Sequence, residues 1–353
     1  MKRTAKSLRA AADLADAGLI PRERIAEIER VAARYEVAIT PPVVGLLYRA
    51  DSDDPIARQF IPDTRELDHR AEEHADPIGD EAHSPIEGIV HRYPDRVLLK
   101  LTPICAAYCR FCFRRETVGA SSRATLSPPA VDAALNYIAQ HSEVWEVILT
   151  GGDPLILSDR RLKDVASRLA AIPHVKVLRA HTRVPIVDPG RITAGLARAL
   201  KAGGKATYVV LHANHPRELT PEARAACARL VDAGIPMLSQ SVLLNGVNDD
   251  PQILGELMRA FVECRIKPYY LHHPDLAPGT SHFRGTIEHG QNLVRALRGR
   301  YSGLCQPTYM LDIPGGYGKS PIGPTYLSPE ERGGRYRIED FNGRCHSYPP
   351  DAS

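Results

Sequence analysis

Three of the seven cysteines in this 353-residue chain fall close together, as Cys105, Cys109 and Cys112 in TPICAAYCRFCFRR. Soft thiolates bind iron, and three on one short loop can each take one corner of an iron–sulfur cubane. The fourth iron is then left open to a ligand from outside the protein. Zinc prefers four protein ligands in a closed site, and no fourth cysteine or histidine follows among residues 113–122. A zinc knuckle and three coincidentally buried thiols are the competing readings, and coordination number favours the cluster. An odd number of cysteines cannot close entirely into intrachain disulfides, and in a reducing compartment such a group reads as metal chemistry.

A second signature lies in Asp312-Ile313-Pro314-Gly315-Gly316-Tyr317-Gly318-Lys319-Ser320. Gly318-Lys319-Ser320 superficially ends a phosphate-binding loop, but that motif needs a glycine five residues before its last one. Ile313 stands there. The remaining chemical use is a lysine on a glycine-rich loop that forms a Schiff base with an aldehyde such as pyridoxal phosphate. The plain alternative is a solvated lysine on a surface turn. A third segment, Thr150-Gly151-Gly152-Asp153, closes the apolar run from Val144. Paired glycines there let a backbone approach a ligand closely, or simply make a turn.

These segments need a scaffold. From about Val97 apolar runs alternate with helical patterns, and candidate strands start near Val97, Val147, Val175, Ala206, Pro236 and Pro268. After the first interval they recur about every 30 residues, the length of a βα unit. Runs such as VLLKL, VILT and YVVLH are nearly all apolar, as a parallel sheet covered on both faces requires. Ser127, Ser158 and Thr220 each precede Pro or Asp, an N-cap followed by a favourable first-turn residue. The fold class is therefore α/β, a partial (β/α)6 TIM-like barrel with its chemistry at the C-terminal ends of the strands. Residues 1–85 read as an N-terminal helical extension (Ile25, Ile28, Val31, Ala32, Tyr35) that passes through an apolar stretch at 43–48. It ends in an acidic, irregular segment near Pro85. The barrel is expected over 86–305, and the lysine segment with a short C-terminal tail over 306–353.

Composition bounds the function. Hydrophobic residues at 43% and charged residues at 25% are ordinary globular values, which excludes a disordered chain or a disulfide-stapled miniprotein. A net charge of +3 gives no pull toward nucleic acid or a membrane surface. The basic N-terminus lacks the apolar stretch of a secretory signal, and Asp13 and Asp16 count against an organelle transit peptide. No apolar run approaches the ~20 residues of a membrane span. A cytoplasmic location is expected.

The cysteine spacing, with the aromatic Phe111 just before the third cysteine, resembles the radical S-adenosylmethionine enzymes. In that family the open iron binds the amino and carboxylate groups of S-adenosylmethionine, and one electron cleaves it to a 5′-deoxyadenosyl radical. Thr150–Asp153 resembles the family's Gly-Gly-Glu segment, with Asp153 in place of Glu. Further blocks follow in order: HRYPDRVLL (91–99), LHANHP (211–216), QSVLLNGVND (240–249), RIKPYYLHHPDL (265–276), HFR (282–284) and DIPGGYGK (312–319). With them, the chain from Pro85 to Tyr326 is similar to the lysine 2,3-aminomutase family.

The resemblance implies a [4Fe–4S] cluster on Cys105, Cys109 and Cys112. It implies S-adenosylmethionine near Gly151, Gly152, Asp153, His212 and Gln240, and pyridoxal 5′-phosphate on Lys319, packed against Arg92, Tyr93 and Arg96. Arg114 matches the arginine for the substrate carboxylate, and Asp275 and Asp312 the carboxylates for the distal ammonium of lysine. The implied reaction interconverts L-lysine and β-lysine through a pyridoxal phosphate aldimine. The radical takes hydrogen from C3, the nitrogen shifts from C2 to C3, and hydrogen returns at C2. An electron donor such as flavodoxin or ferredoxin and a homo-oligomer are the implied partners.

Each residue also has a plain reading. Arg114 and Arg115 could form a basic surface pair, Asp275 a turn, and Asp312 a strand-end cap. His212 and His215 lack the pattern of a zinc site. Longer relatives carry a C-terminal cysteine cluster for structural zinc. Here the tail has Cys345 alone, and Asp250 stands where those relatives place another cysteine, so no structural zinc is expected. The branch that supplies β-lysine for elongation factor P departs from the PGG-x-GK block, which this chain keeps. That role, an aminomutase for another amino acid such as glutamate, and a non-catalytic metal-binding protein are the alternatives.

Overall fold

The computed structural model describes residues 6–47, 53–119, 124–330 and 334–349. Its main sheet holds β1 (Ile89–Tyr93), β2 (Arg96–Thr102), β3 (Glu146–Gly151), β4 (Val177–Thr182), β5 (Ala206–His212), β6 (Met237–Val242), β7 (Ile266–His272), β8 (Thr308–Ile313) and β9 (Gly318–Pro321). Strand order equals chain order. Strands β2 to β8 pair in parallel, and β1 and β9 lie antiparallel on the two edges.

The expected partial barrel is present, and its six strands are β2 to β7. The sheet adds a seventh parallel strand, β8. The longer interval before it, from Ile266 to Thr308, broke the period that located the others. The edge strand β1 was also missed, because its HRY half is polar and reads as loop. Pro268 sits inside β7, where a missing N–H would cost a ladder bond. A register shift absorbs it: Ser239 faces Pro268 while Gln240 faces Tyr270. Such a bulge breaks the strict alternation of side chains, and both Tyr269 and Tyr270 line the central cavity, stacked at 3.7 Å.

The extension contributes α1 (Ala11–Asp16), α2 (Ile25–Ala32), α3 (Pro41–Val44) and α4 (Ala57–Phe60). Between strands run α5 (Pro128–Gln140), α6 (Asp159–Ala170), α7 (Val184–Val187), α8 (Ala194–Leu200), α9 (Pro221–Asp232), α10 (Pro251–Glu263) and α11 (Ile287–Leu297). Ser127, Ser158 and Thr220 cap α5, α6 and α9 as expected, accepting from Ala130, Arg161 and Ala223 N–H. Asp250 caps α10, accepting from the N–H groups of Gln252 and Ile253 at 2.8 and 3.0 Å. That gives the aspartate a structural task of its own.

Leu14, Ile28, Ile39 and Ile56 of the extension share one continuous apolar core with Val97, Leu149 and Leu211 of the sheet. The tail folds into a separate antiparallel sheet of β10 (Leu327–Pro329), β11 (Tyr336–Glu339) and β12 (Cys345–Tyr348). Among the described residues no helix is long and apolar enough to cross a membrane.

Candidate active site

The curled sheet encloses a cavity of about 790 Å³. Every candidate residue named from the sequence lines it, from Arg92 on β1 to Lys319 on β9. The thiol loop follows β2, and all three of its cysteines are free. Burial, with Cys109 adding repulsion, pushes the Cys112 thiol up to about 11, and burial pushes Cys105 up as well. A bound cation reverses that logic by favouring thiolate. Among the described residues no group of three or more His, Cys, Asp or Glu side chains converges on one ion. A cubane makes no such demand, since each thiolate takes a different iron.

Buried ion pairs brace this loop from outside. Glu66, in the extension, receives Arg110 Nε at 2.9 Å and Nη2 at 2.6 Å, and also pairs with Arg115. Arg115 is 3% exposed, so the surface reading of the Arg114–Arg115 pair is wrong. Arg183, just past β4, donates to Cys109 Sγ at 2.8 Å. It also reaches Gln59 Oε1 and Glu218 Oε2, both at 2.6 Å.

The paired glycines permit a close approach, but to the protein's own backbone. Gly152 N–H donates to Thr102 O at 2.6 Å. A Cβ on Gly152 would lie 2.3 Å from Ile104 O. The Asp153 carboxylate accepts from Thr182 Oγ1 and Arg183 N–H, both at 2.7 Å, and from Leu155 N–H at 3.0 Å. Its oxygens thus tie β3 to β4, while the residue itself lines the cavity wall. His212 and Gln240 are register partners on β5 and β6. The His212 ring stacks on Phe111 with centroids 5.5 Å apart, and its buried Nε2 has no partner. Burial, then Arg183, drives its pKa down to about 3, so the ring is neutral.

The other end of the cavity lies at the seam where β1 meets β9. Lys319 stands opposite Asp312 in register, and its Nζ pairs with the Asp312 carboxylate. The Lys319 N–H donates to Tyr93 Oη at 2.7 Å. Gly318, at φ +89°, leaves room for that bond, since a Cβ would come within 2.8 Å of the phenol oxygen. The Arg96 guanidinium covers the Tyr93 ring at 3.8 Å.

Arg92, expected to pack against pyridoxal phosphate, donates to Asp312 Oδ1 (3.1 Å), Asp80 Oδ1 (3.1 Å) and Ile78 O (2.6 Å), while its buried Nε has no partner among the described residues. Arg114 binds the other oxygen of Asp80 through Nε at 2.9 Å. Asp275, just past β7, makes no hydrogen bond among the described residues and faces the cavity. Burial raises its carboxyl to about 7, with Lys319 pulling down and Asp312 pushing up. Asp80, Glu66, Arg183 and the tyrosine pair were not foreseen. The partners of Asp80, Glu66 and Arg183 lie elsewhere in sequence, and the tyrosines share the cavity wall only through the bulge in β7.

Residues 99–257 match the model of the Radical SAM superfamily. The chain is 40% identical over 321 residues to the L-lysine 2,3-aminomutase of Acetoanaerobium sticklandii, covering 91% of this chain and 77% of that one. It is likewise 40% identical over 312 residues to the L-lysine 2,3-aminomutase of Clostridium subterminale, covering 88% and 74%. The glutamate 2,3-aminomutase of Clostridioides difficile is 38% identical over 300 residues, covering 85% and 70%. With this identity over most of both chains, the chain belongs to the lysine 2,3-aminomutase family of radical S-adenosylmethionine isomerases.

Proposed function

We propose that the protein interconverts L-lysine and β-lysine by moving the amino group between C2 and C3. One observation carries the choice of substrate: Asp275 and Asp312 both line the seam end of the cavity, and Asp275 has no donor among the described residues. Two carboxylates in a buried site select a distal ammonium and reject an acidic side chain, which would leave them unpaired and repelled. That favours lysine over glutamate.

The residues fit the groups the family implies. Three free thiols on one loop are the donor set of a [4Fe–4S] cluster. His212, stacked on Phe111 of the thiol loop and with an Nε2 that has no partner among the described residues, and Gln240 beside it in register line the same cavity, suited to S-adenosylmethionine. Lys319, with Tyr93 and Arg96 adjacent, suits pyridoxal phosphate. When bound, these groups supply a primary carbon radical able to break an unactivated C–H bond and an aldehyde that holds the migrating nitrogen.

The protein's own work is orientation and exclusion of water. Asp312 is placed to receive the proton that Lys319 Nζ must lose to become a nucleophile. The Arg114 guanidinium presents a fork suited to the substrate carboxylate. Asp275 in its charged form holds the distal ammonium. Phe111, Leu238, Tyr269, Tyr270 and Met310 line the intervening wall and keep it apolar. A cytoplasmic location and a one-electron donor such as flavodoxin or ferredoxin belong to the same proposal. The test is product analysis of the reduced, anaerobically reconstituted enzyme with lysine, ornithine, arginine and glutamate. β-Lysine from lysine is expected; a product from glutamate with none from lysine would overturn the reading.

A further inference from the structure

Asp80 lies in the acidic segment before β1 and is 6% exposed. Its Oδ2 receives Arg114 Nε at 2.9 Å and Nη2 at 2.8 Å, and its Oδ1 receives Arg92 Nη2 at 3.1 Å. Arg92 Nη1 in turn reaches Asp312 Oδ1 at 3.1 Å, and Asp312 pairs with Lys319. An unbroken line of alternating charge therefore joins Arg114, Asp80, Arg92, Asp312 and Lys319.

The segment carrying Asp80 is pinned. The Asp76 carboxylate accepts from the N–H groups of Asp80 and Glu81, both at 2.8 Å. His83 Nε2 lies 3.0 Å from Gly316 O. Gly79 packs so tightly on the lysine loop that a Cβ would lie 2.5 Å from Gly316 N. A guanidinium offers two edges to carboxylates, and Asp80 fills the Nε–Nη2 edge of Arg114. The end carrying Nη1 stays on the cavity side, where it meets Thr150 Oγ1 at 3.4 Å. Asp80 and a substrate carboxylate can thus hold Arg114 at the same time.

We propose that Asp80 is a positioning residue that fixes the separation between Arg114 and Asp312, and so sets the chain length of the amino acid accepted. This rests on the lysine reading, in which those two groups take the two ends of the substrate. Asp80→Asn keeps the size but cannot neutralise two guanidiniums. It should raise KM for L-lysine about tenfold, the scale of one lost charge-assisted hydrogen bond, with a smaller change in kcat. The preference for lysine over ornithine, one methylene shorter, should shrink. Asp80→Asn added to Arg114→Gln should cost less than the sum of the two single losses, because only the Arg92 arm of Asp80 is then left to lose. Asp80→Glu keeps both ion pairs on a longer arm, so KM should stay near wild type while the lysine-to-ornithine preference changes.

Iron content and borohydride-trapped pyridoxal phosphate should be unchanged in each variant. An unaltered KM and preference, additive losses, or lost cofactor loading would each overturn the proposal. Failure of the wild type to make β-lysine would instead sink the lysine reading on which it rests.

Discussion

At one end of the cavity three thiols come from eight consecutive residues, Cys105 to Cys112. At the other end Arg92 meets Asp312 across 220 residues, and Tyr93 meets Lys319 across 226. The thiol loop is local in sequence and braced from outside by buried pairs such as Glu66 with Arg110. The seam is non-local, and its bracing pairs are themselves the groups proposed to read the substrate. Structure and recognition are therefore separable at the first end and fused at the second. A substitution at the seam should disturb stability and specificity together, whereas the bracing of the loop can be weakened without touching the substrate.

The sharpest break between the two ends is a reciprocal pair of variants. Cys109→Ala should abolish cluster assembly and reduce turnover at least about 10⁴-fold, yet leave pyridoxal phosphate linked to Lys319. Lys319→Ala should do the reverse, as read by iron content and borohydride trapping. Next in size is the cost of the braces. Glu66→Ala strands Arg110 and Arg115. It should lose roughly 3–5 kcal/mol in denaturant unfolding, because it leaves buried charge unpaired. Asp312→Ala takes one of two carboxylates from Arg92, which keeps Asp80, and should lose less. Only Asp312→Ala should also change the choice among amino acids.

A smaller effect concerns pH. Burial raises Asp275 from 3.8 to about 7. The folded state therefore holds that proton more tightly, so the group's contribution to stability is full at acid pH and lost as pH rises through about 7. Asp275→Asn should raise Tm at pH 8 and leave it unchanged at pH 4. Because the charged form is needed for an ammonium, kcat/KM for lysine should climb through about pH 7 in the wild type and lose that limb in the variant. The smallest effect is at Asp250, far from either end: Asp250→Ala should cost about 1 kcal/mol as a lost helix cap, with no change in turnover.

The same contrast explains what could be read in advance. The barrel was legible because parallel strands buried on both faces are continuous apolar runs at a regular interval. The thiol loop was legible because its spacing is contiguous. β8 escaped because a longer connection broke the interval, and β1 because an edge strand needs little apolar surface. Lys319 and Asp312 were visible through the glycine-rich block between them, where Gly318 must leave space for Tyr93. Asp80, Glu66 and Arg183 were invisible, since an acidic or basic residue becomes a brace only when folding brings its partner near. Asp153 matched a motif position, yet its oxygens are consumed by Thr182, Arg183 and Leu155, which spacing alone does not reveal.

The central claim is that both ends act on one substrate in one cavity. It is tested most directly with L-lysine deuterated at C3, given to the reduced, anaerobic holoenzyme and followed by mass spectrometry and NMR of the product. The account predicts β-lysine that carries deuterium at C2. No β-lysine, or β-lysine whose C2 carries only solvent hydrogen, would contradict it.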